Sequence, residues 1–86
     1  MVYIVVKGKN YYTYTLISWL SYIKDMIKQL TCTDIILKHV HNDNEIPELW
    51  IDNEKIYEGL PDNEGELLEV IVYKLHKLGY LCREDF

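Results

Sequence analysis

The sequence predicts an α+β domain with element order β-α-β-β-β-α, a four-stranded mixed sheet packed by two helices. Three observations carry this expectation. Short β-branched runs occur at Val2 to Val6 and Asp34 to Val40, two longer stretches repeat apolar residues at three- and four-residue steps, and a polar turn splits a hairpin between Pro47 and Glu58. With 86 residues, 49% of them hydrophobic, the chain has enough interior for one domain and too little for two, so residues 1–86 are read as a single unit with a tail from about residue 80.

Val2-Tyr3-Ile4-Val5-Val6 is a continuous apolar run, which reads as a strand covered on both faces, and Lys7-Gly8-Lys9-Asn10 closes it as a loop. From Thr15 the period becomes helical. Leu16, Trp19, Leu20, Ile23, Ile27 and Leu30 form one side, Ser18, Ser21, Lys24, Asp25 and Lys28 the other, and Thr13 or Thr15 is the expected cap. Thr31-Cys32-Thr33 breaks the period before the second strand, Asp34 to Val40. The spacing between the two strands is that of one crossover helix, so they should be parallel with a right-handed connection.

His41 to Glu45 is a polar turn. The hairpin strands, Pro47 to Ile51 and Lys55 to Glu58, are joined through Asp52-Asn53-Glu54, where asparagine accepts a left-handed conformation. Asn63 and Glu66 have capping-box spacing at the start of the last helix. Its apolar side is Leu67, Leu68, Ile71, Val72, Leu75 and Leu78, and Gly79 suits the left-handed position after it.

The stretch Glu45-Ile46-Pro47-Glu48-Leu49-Trp50-Ile51-Asp52-Asn53-Glu54-Lys55-Ile56-Tyr57-Glu58-Gly59 resembles the proline-strand-hairpin half of thioredoxin-like and glutaredoxin-like proteins. The resemblance implies a thioredoxin-like sheet with the first strand central. It also implies a cis Ile46-Pro47 bond beside the amino end of the first helix, and an extended peptide partner pairing with the Ile46 backbone. Two departures stand out. The family's helix between the second strand and the proline has only about six residues to occupy here, so it is lost or the strand order differs. The Cys-x-x-Cys of the redox enzymes is missing: Asn10-Tyr11-Tyr12-Thr13-Tyr14-Thr15 holds no thiol where helix amides would stabilise one.

What remains is recognition. The expected function is a redox-inactive protein-binding or peptide-binding module. Its groove is formed by Tyr11, Tyr12, Thr13 and Tyr14 as an aromatic lip and by Ile46 and Pro47. The alternatives are an obligate homo-oligomer or structural subunit, with a homodimer as one form, and an atypical thiol-disulfide oxidoreductase using Cys32 or Cys82. Those two cysteines are read first as packed thiols, with a bridge between them as the alternative.

No cofactor and no metal is expected. His39 and His41 share a face of an extended segment but have no evident third ligand, and the acidic residues from Asp52 to Glu69 read as a solvated turn and helix start. A net charge of -5 argues against nucleic acid and anionic membranes. No apolar run has the length of a membrane span, and Met1 to Val6 lacks the pattern of a signal peptide, so a cytoplasmic location is expected. The alanine-poor, Ile/Tyr/Asn/Lys-rich composition is compatible with an AT-rich genome such as that of an archaeon or an archaeal virus.

Overall fold

The computed structural model describes residues 1–43 and 45–82. Strand β1 (Val2–Lys7) leads through helix α1 (Tyr11–Thr31) to β2 (Ile35–Val40); β3 (Glu48–Ile51) and β4 (Glu54–Glu58) form the hairpin, and α2 (Glu64–Leu78) ends the described fold. The sheet order is β2-β1-β3-β4, with β1 parallel to β2 and antiparallel to β3. This is the expected mixed sheet, compatible with a thioredoxin-like arrangement. Among the described residues the connection from β2 to β3 contains no helix, so the shortened segment costs the fold a layer rather than changing its strand order.

Both helices lie on one side of the sheet. Val2, Ile4, Val6, Leu49 and Ile51 point inward and are fully or almost fully buried, together with Leu16, Leu20 and Ile27 of α1 and Leu67, Ile71 and Leu75 of α2. The alternation along β1 is strict: Tyr3 is 42% exposed between two buried neighbours, and Val5 and Lys7 are half-buried. This corrects the expectation of a strand covered on both faces. The outward residues are apolar enough to mimic a doubly buried strand, yet no helix or strand among the described residues lies over them.

Helix α1 starts earlier than the apolar period suggests. Its cap is Asn10, whose Oδ1 accepts from the Thr13 N–H at 3.1 Å, rather than Thr13 or Thr15. Thr13 occupies the first buried position of the helix, a polar residue in the apolar stripe, which hides the first turn from a pattern reading. The turn Asp52-Asn53 has both φ angles positive, 49° and 67°, the geometry of a tight two-residue hairpin loop. Helix α2 is capped by Asn63, which accepts from the Glu66 N–H at 2.8 Å, and stops at Gly79 in the left-handed region. Leu78 is exposed rather than part of the buried side.

The cysteines are not packed free thiols. Cys32, in the left-handed cap position of α1, is disulfide-bonded to Cys82, with Cα atoms 5.9 Å apart. Both are exposed. The Cys82 N–H donates to the Leu30 carbonyl at 2.9 Å, which lays the residues after α2 against the end of α1. Tyr80 adds a second anchor by donating its hydroxyl to Asp52 in the hairpin turn. That hydrogen bond, followed by burial and the carboxylate's charge, raises the Tyr80 phenol above its ordinary value of 10.0. Of the predicted tail, residues 83–86 lie outside the described residues.

Two predictions follow from these anchors. The bridge closes a loop with a sequence separation of 50, for which loop entropy gives about 4 kcal/mol of stabilisation. Cys82→Ser should therefore lower unfolding free energy by about 2–4 kcal/mol in urea titrations, and reduction by dithiothreitol should bring wild type to the same value; unchanged stability on reduction refutes the bridge. The folded state favours the neutral Tyr80 phenol, so this contribution is complete below the unfolded pKa near 10.0 and is lost as pH rises through the higher folded value. Alkaline titration of wild type should show a steeper stability loss than Tyr80→Phe, and parallel curves would contradict the anchor.

Candidate functional site

The sequence points first to the region around Pro47, and the structure brings part of that groove together. The Asn10 side-chain amide donates to the Glu45 carbonyl, so the start of α1 does sit against the segment entering β3. Gly8 makes the approach possible. Its φ is +152°, and a Cβ there would lie 2.3 Å from the Thr13 hydroxyl oxygen, so any larger residue would push the first turn of α1 away.

The remaining features of a peptide groove are not assembled. No peptide bond among the described residues is cis, so Ile46-Pro47 is trans, which corrects the cis expectation. The Pro47 carbonyl accepts from the Gly59 N–H at 2.8 Å, which extends the β3–β4 ladder by one step and makes the proline the entry of an ordinary strand. Pro47 is buried, while Ile46 is 54% exposed. The tyrosines stand on the first turn of a helix, not on an extended lip. Tyr11 and Tyr12 meet edge to face at 5.9 Å, and Tyr14 turns toward the end of β2, where its ring lies 5.4 Å from that of His39. Thr13 is buried and bonded through its hydroxyl to Asn10 at 3.0 Å.

The two histidine rings meet at a tilt of 42° with centroids 4.1 Å apart, and His39 Nε2 donates to the Gly8 carbonyl at 2.7 Å. A carbonyl only accepts, so this contact fixes the proton on Nε2 and uses that nitrogen structurally. The bridged sulfurs sit at the other end of α1 from the thiol position of a disulfide enzyme. There the exposed carbonyls disfavour a thiolate.

The outward face of the sheet has a different character. In register across the strands lie Tyr3 beside Ile36, Val5 between Lys38 and Trp50, and Lys7 between Val40 and Glu48. None of Tyr3, Val5, Ile36, Val40 or Trp50 belongs to or packs on the core cluster. Lys7 places its ammonium 3.8 Å from the Trp50 ring centroid, and Lys38 lies 5.7 Å from that of Tyr3. At the β4 side the charges are already matched: Lys55 pairs with Glu48 at 3.7 Å and Glu58 at 3.5 Å. Lys7 and Lys38 have no carboxylate partner among the described residues.

An open concavity of about 610 Å³ also runs between β4 and α2, past Ile56, Val70 and Tyr73. Its Lys74 is held by Glu54 at 2.6 Å, and Lys55 by the two glutamates named above, so its charge is largely spent internally. Lys77, which also lines the concavity, lies 4.8 Å from the exposed Tyr73 ring and has no ion pair among the described residues; the outward sheet face differs in setting two such cations, Lys7 and Lys38, over two rings on one strand-built surface.

Sequence reasoning missed this face because it scored Val2 to Val6 as one run. The signal was present in two places. The outward alternate ends in Lys7 while the inward one is Val2, Ile4 and Val6, and the chain between β2 and Pro47 is too short to lay a helix back across the sheet. Neither a protein-family model nor a curated protein matches this chain.

The Asn10 contacts can be separated by substitution. Asn10→Asp keeps an oxygen for the Thr13 N–H but loses the donor to Glu45, whereas Asn10→Ala loses both. A step of about 1 kcal/mol for each lost contact is expected in urea titrations. Equal stability of wild type and Asn10→Asp would show that the link to Glu45 contributes nothing.

Proposed function

We propose that this chain is a non-catalytic, thioredoxin-like protein-binding module that receives its partner on the outward face of the sheet. The observation that carries the reading is a four-stranded sheet with two helices on one side and, among the described residues, none on the other, where Tyr3 and Val40 are exposed and Val5, Ile36 and Trp50 half-buried. A sheet face with this composition gains free energy when covered, at about 25 cal/mol for each Å² of apolar surface removed from water. Proteins that leave such a patch open commonly use it for recognition.

The module reading takes over the recognition role expected from the sequence and moves its site from the proline region to the sheet. No helix among the described residues is long and apolar enough to cross a membrane. We place the protein in the cytoplasm, where intramolecular disulfides persist in hyperthermophilic organisms.

Site-specific photo-cross-linking tests the proposal. With benzoylphenylalanine in place of Val5, extract of the source cells should give a discrete protein adduct; with the same group in place of Tyr22, on the exposed side of α1, it should not. Excess wild type should compete the adduct away, and Trp50→Glu should compete at least about tenfold less well. Adducts of equal yield at both positions, or none at position 5, would sink the reading.

A further inference from the structure

Resting on that protein-binding reading, we infer that the occupant of the outward face is an amphipathic helix with acidic residues flanking its apolar stripe. Three features of the face select this occupant. The first is shape. Strands of six residues run about 20 Å and four strands span about 14 Å between their outer axes. A helix about 10 Å across and three turns long fills that area and leaves its two flanks over the outer strands.

The second feature is the arrangement of apolar residues. Tyr3 and Val5 on β1, with Ile36 on β2 and Trp50 on β3, form a band, and Val40 lies past its end beside Lys7 and Lys38. An i, i+3, i+4, i+7 stripe matches such a band, as it does in other helix-in-groove interactions.

Charge is the third. Lys7 and Lys38 rest over aromatic rings, which hold them at the level of the apolar surface, and neither has a carboxylate partner among the described residues. Carboxylates on the flanks of an incoming helix would reach both without displacing any existing ion pair. Lys55 is already engaged by Glu48 and Glu58, so the β4 side adds no demand for charge.

The same features disfavour two other occupants. Lys38, Val5, Trp50 and Lys55 lie at one level across the sheet. A second copy packed face to face by a two-fold axis through the centre of the face therefore sets Lys38 against a lysine: Lys55 when the axis runs along the strands, Lys38 itself when it runs across them. A single-stranded nucleic acid could stack on Tyr3 and Trp50, but its phosphates would meet Glu48 and Glu58 on a chain of net charge -5.

Fluorescence anisotropy with three probes, together with sedimentation of a fourth sample, tests the inference on the intact, disulfide-bonded protein. The probes are a labelled 16-residue peptide with leucine at helical stripe positions and glutamate on the flanks, the same peptide with lysine for glutamate, and a labelled oligothymidylate. The fourth sample is the protein alone in sedimentation equilibrium. At low salt the acidic peptide should bind about tenfold tighter than the basic one, the value of two exposed ion pairs. Lys7→Glu with Lys38→Glu should invert that order while leaving the circular dichroism spectrum unchanged. Equal affinity for the two peptides, tighter binding of the oligonucleotide, or a dimer abolished by Val5→Glu would each overturn the acidic helix as occupant. In all three cases a surviving cross-link at position 5 would keep the module reading, and its absence would remove that reading as well.

Discussion

The structure depends on one constraint: every helix that packs on the sheet packs on the same face. The cause is local and begins with chain length. A right-handed β1-α1-β2 crossover puts α1 on one side, and α2, leaving β4 through the short segment around Pro61, returns to that side and meets α1. Among the described residues, the short connection from β2 to β3 contributes no third element on the other side. The core is therefore a single layer of side chains between sheet and helices, and Val2, Ile4 and Val6 are its centre.

A core with one layer has little depth, and the fold compensates at the ends of α1. At the amide end, Asn10 closes the helix, buries Thr13 and reaches the chain before β3. At the carbonyl end, Cys32 takes the left-handed position and holds Cys82, so that Leu81 and Tyr80 fold back onto the core and Tyr80 reaches Asp52. Asp52 then bonds the β1 backbone in both directions, accepting from the Tyr3 N–H at 3.3 Å and donating its own N–H to the Tyr3 carbonyl at 3.1 Å. The same residue thus links the chain's last described segment to the central strand, close to the outward face. Small domains with limited interiors often rely on such covalent and polar ties.

How much of this was legible in the sequence depends on the range of the interaction involved. Element order, the parallel crossover, the Asp52-Asn53 turn and the caps at Asn63 and Gly79 follow from residues within a few positions of one another, and they were readable. The start of α1 escapes the apolar pattern because Thr13, a polar residue, fills a buried position where Asn10 bonds it and Gly8 leaves it room. The pairing of Cys32 with Cys82 joins residues that share no local pattern. The burial of β1 was misjudged for a related reason: whether Tyr3 and Val5 are covered depends on an element elsewhere in the chain being present or absent. Pro47 shows the limit of resemblance. The segment entering it meets the start of α1 through Asn10 and Glu45, as the thioredoxin-like pattern implies, while its trans bond departs from that pattern.

That limit also separates architecture from chemistry. In a thiol enzyme built on this plan, the helix amides and the nucleophile occupy one place; here the amide end of α1 carries Tyr11, Tyr12 and Tyr14, and the two cysteines of the chain meet at the end where carbonyls point outward. A thiolate at Cys32 would face the negative end of the helix, so the pair is better suited to holding the chain closed than to exchanging with a substrate. With the chemistry displaced to a structural tie, the side chains left without an internal purpose are those on the bare sheet. Tryptophan and tyrosine there, each with a lysine lying over its ring, keep a large apolar surface presentable to water through the hydrated ammonium groups. In the proposed module, a partner's carboxylates would take the lysines and so uncover that surface for contact.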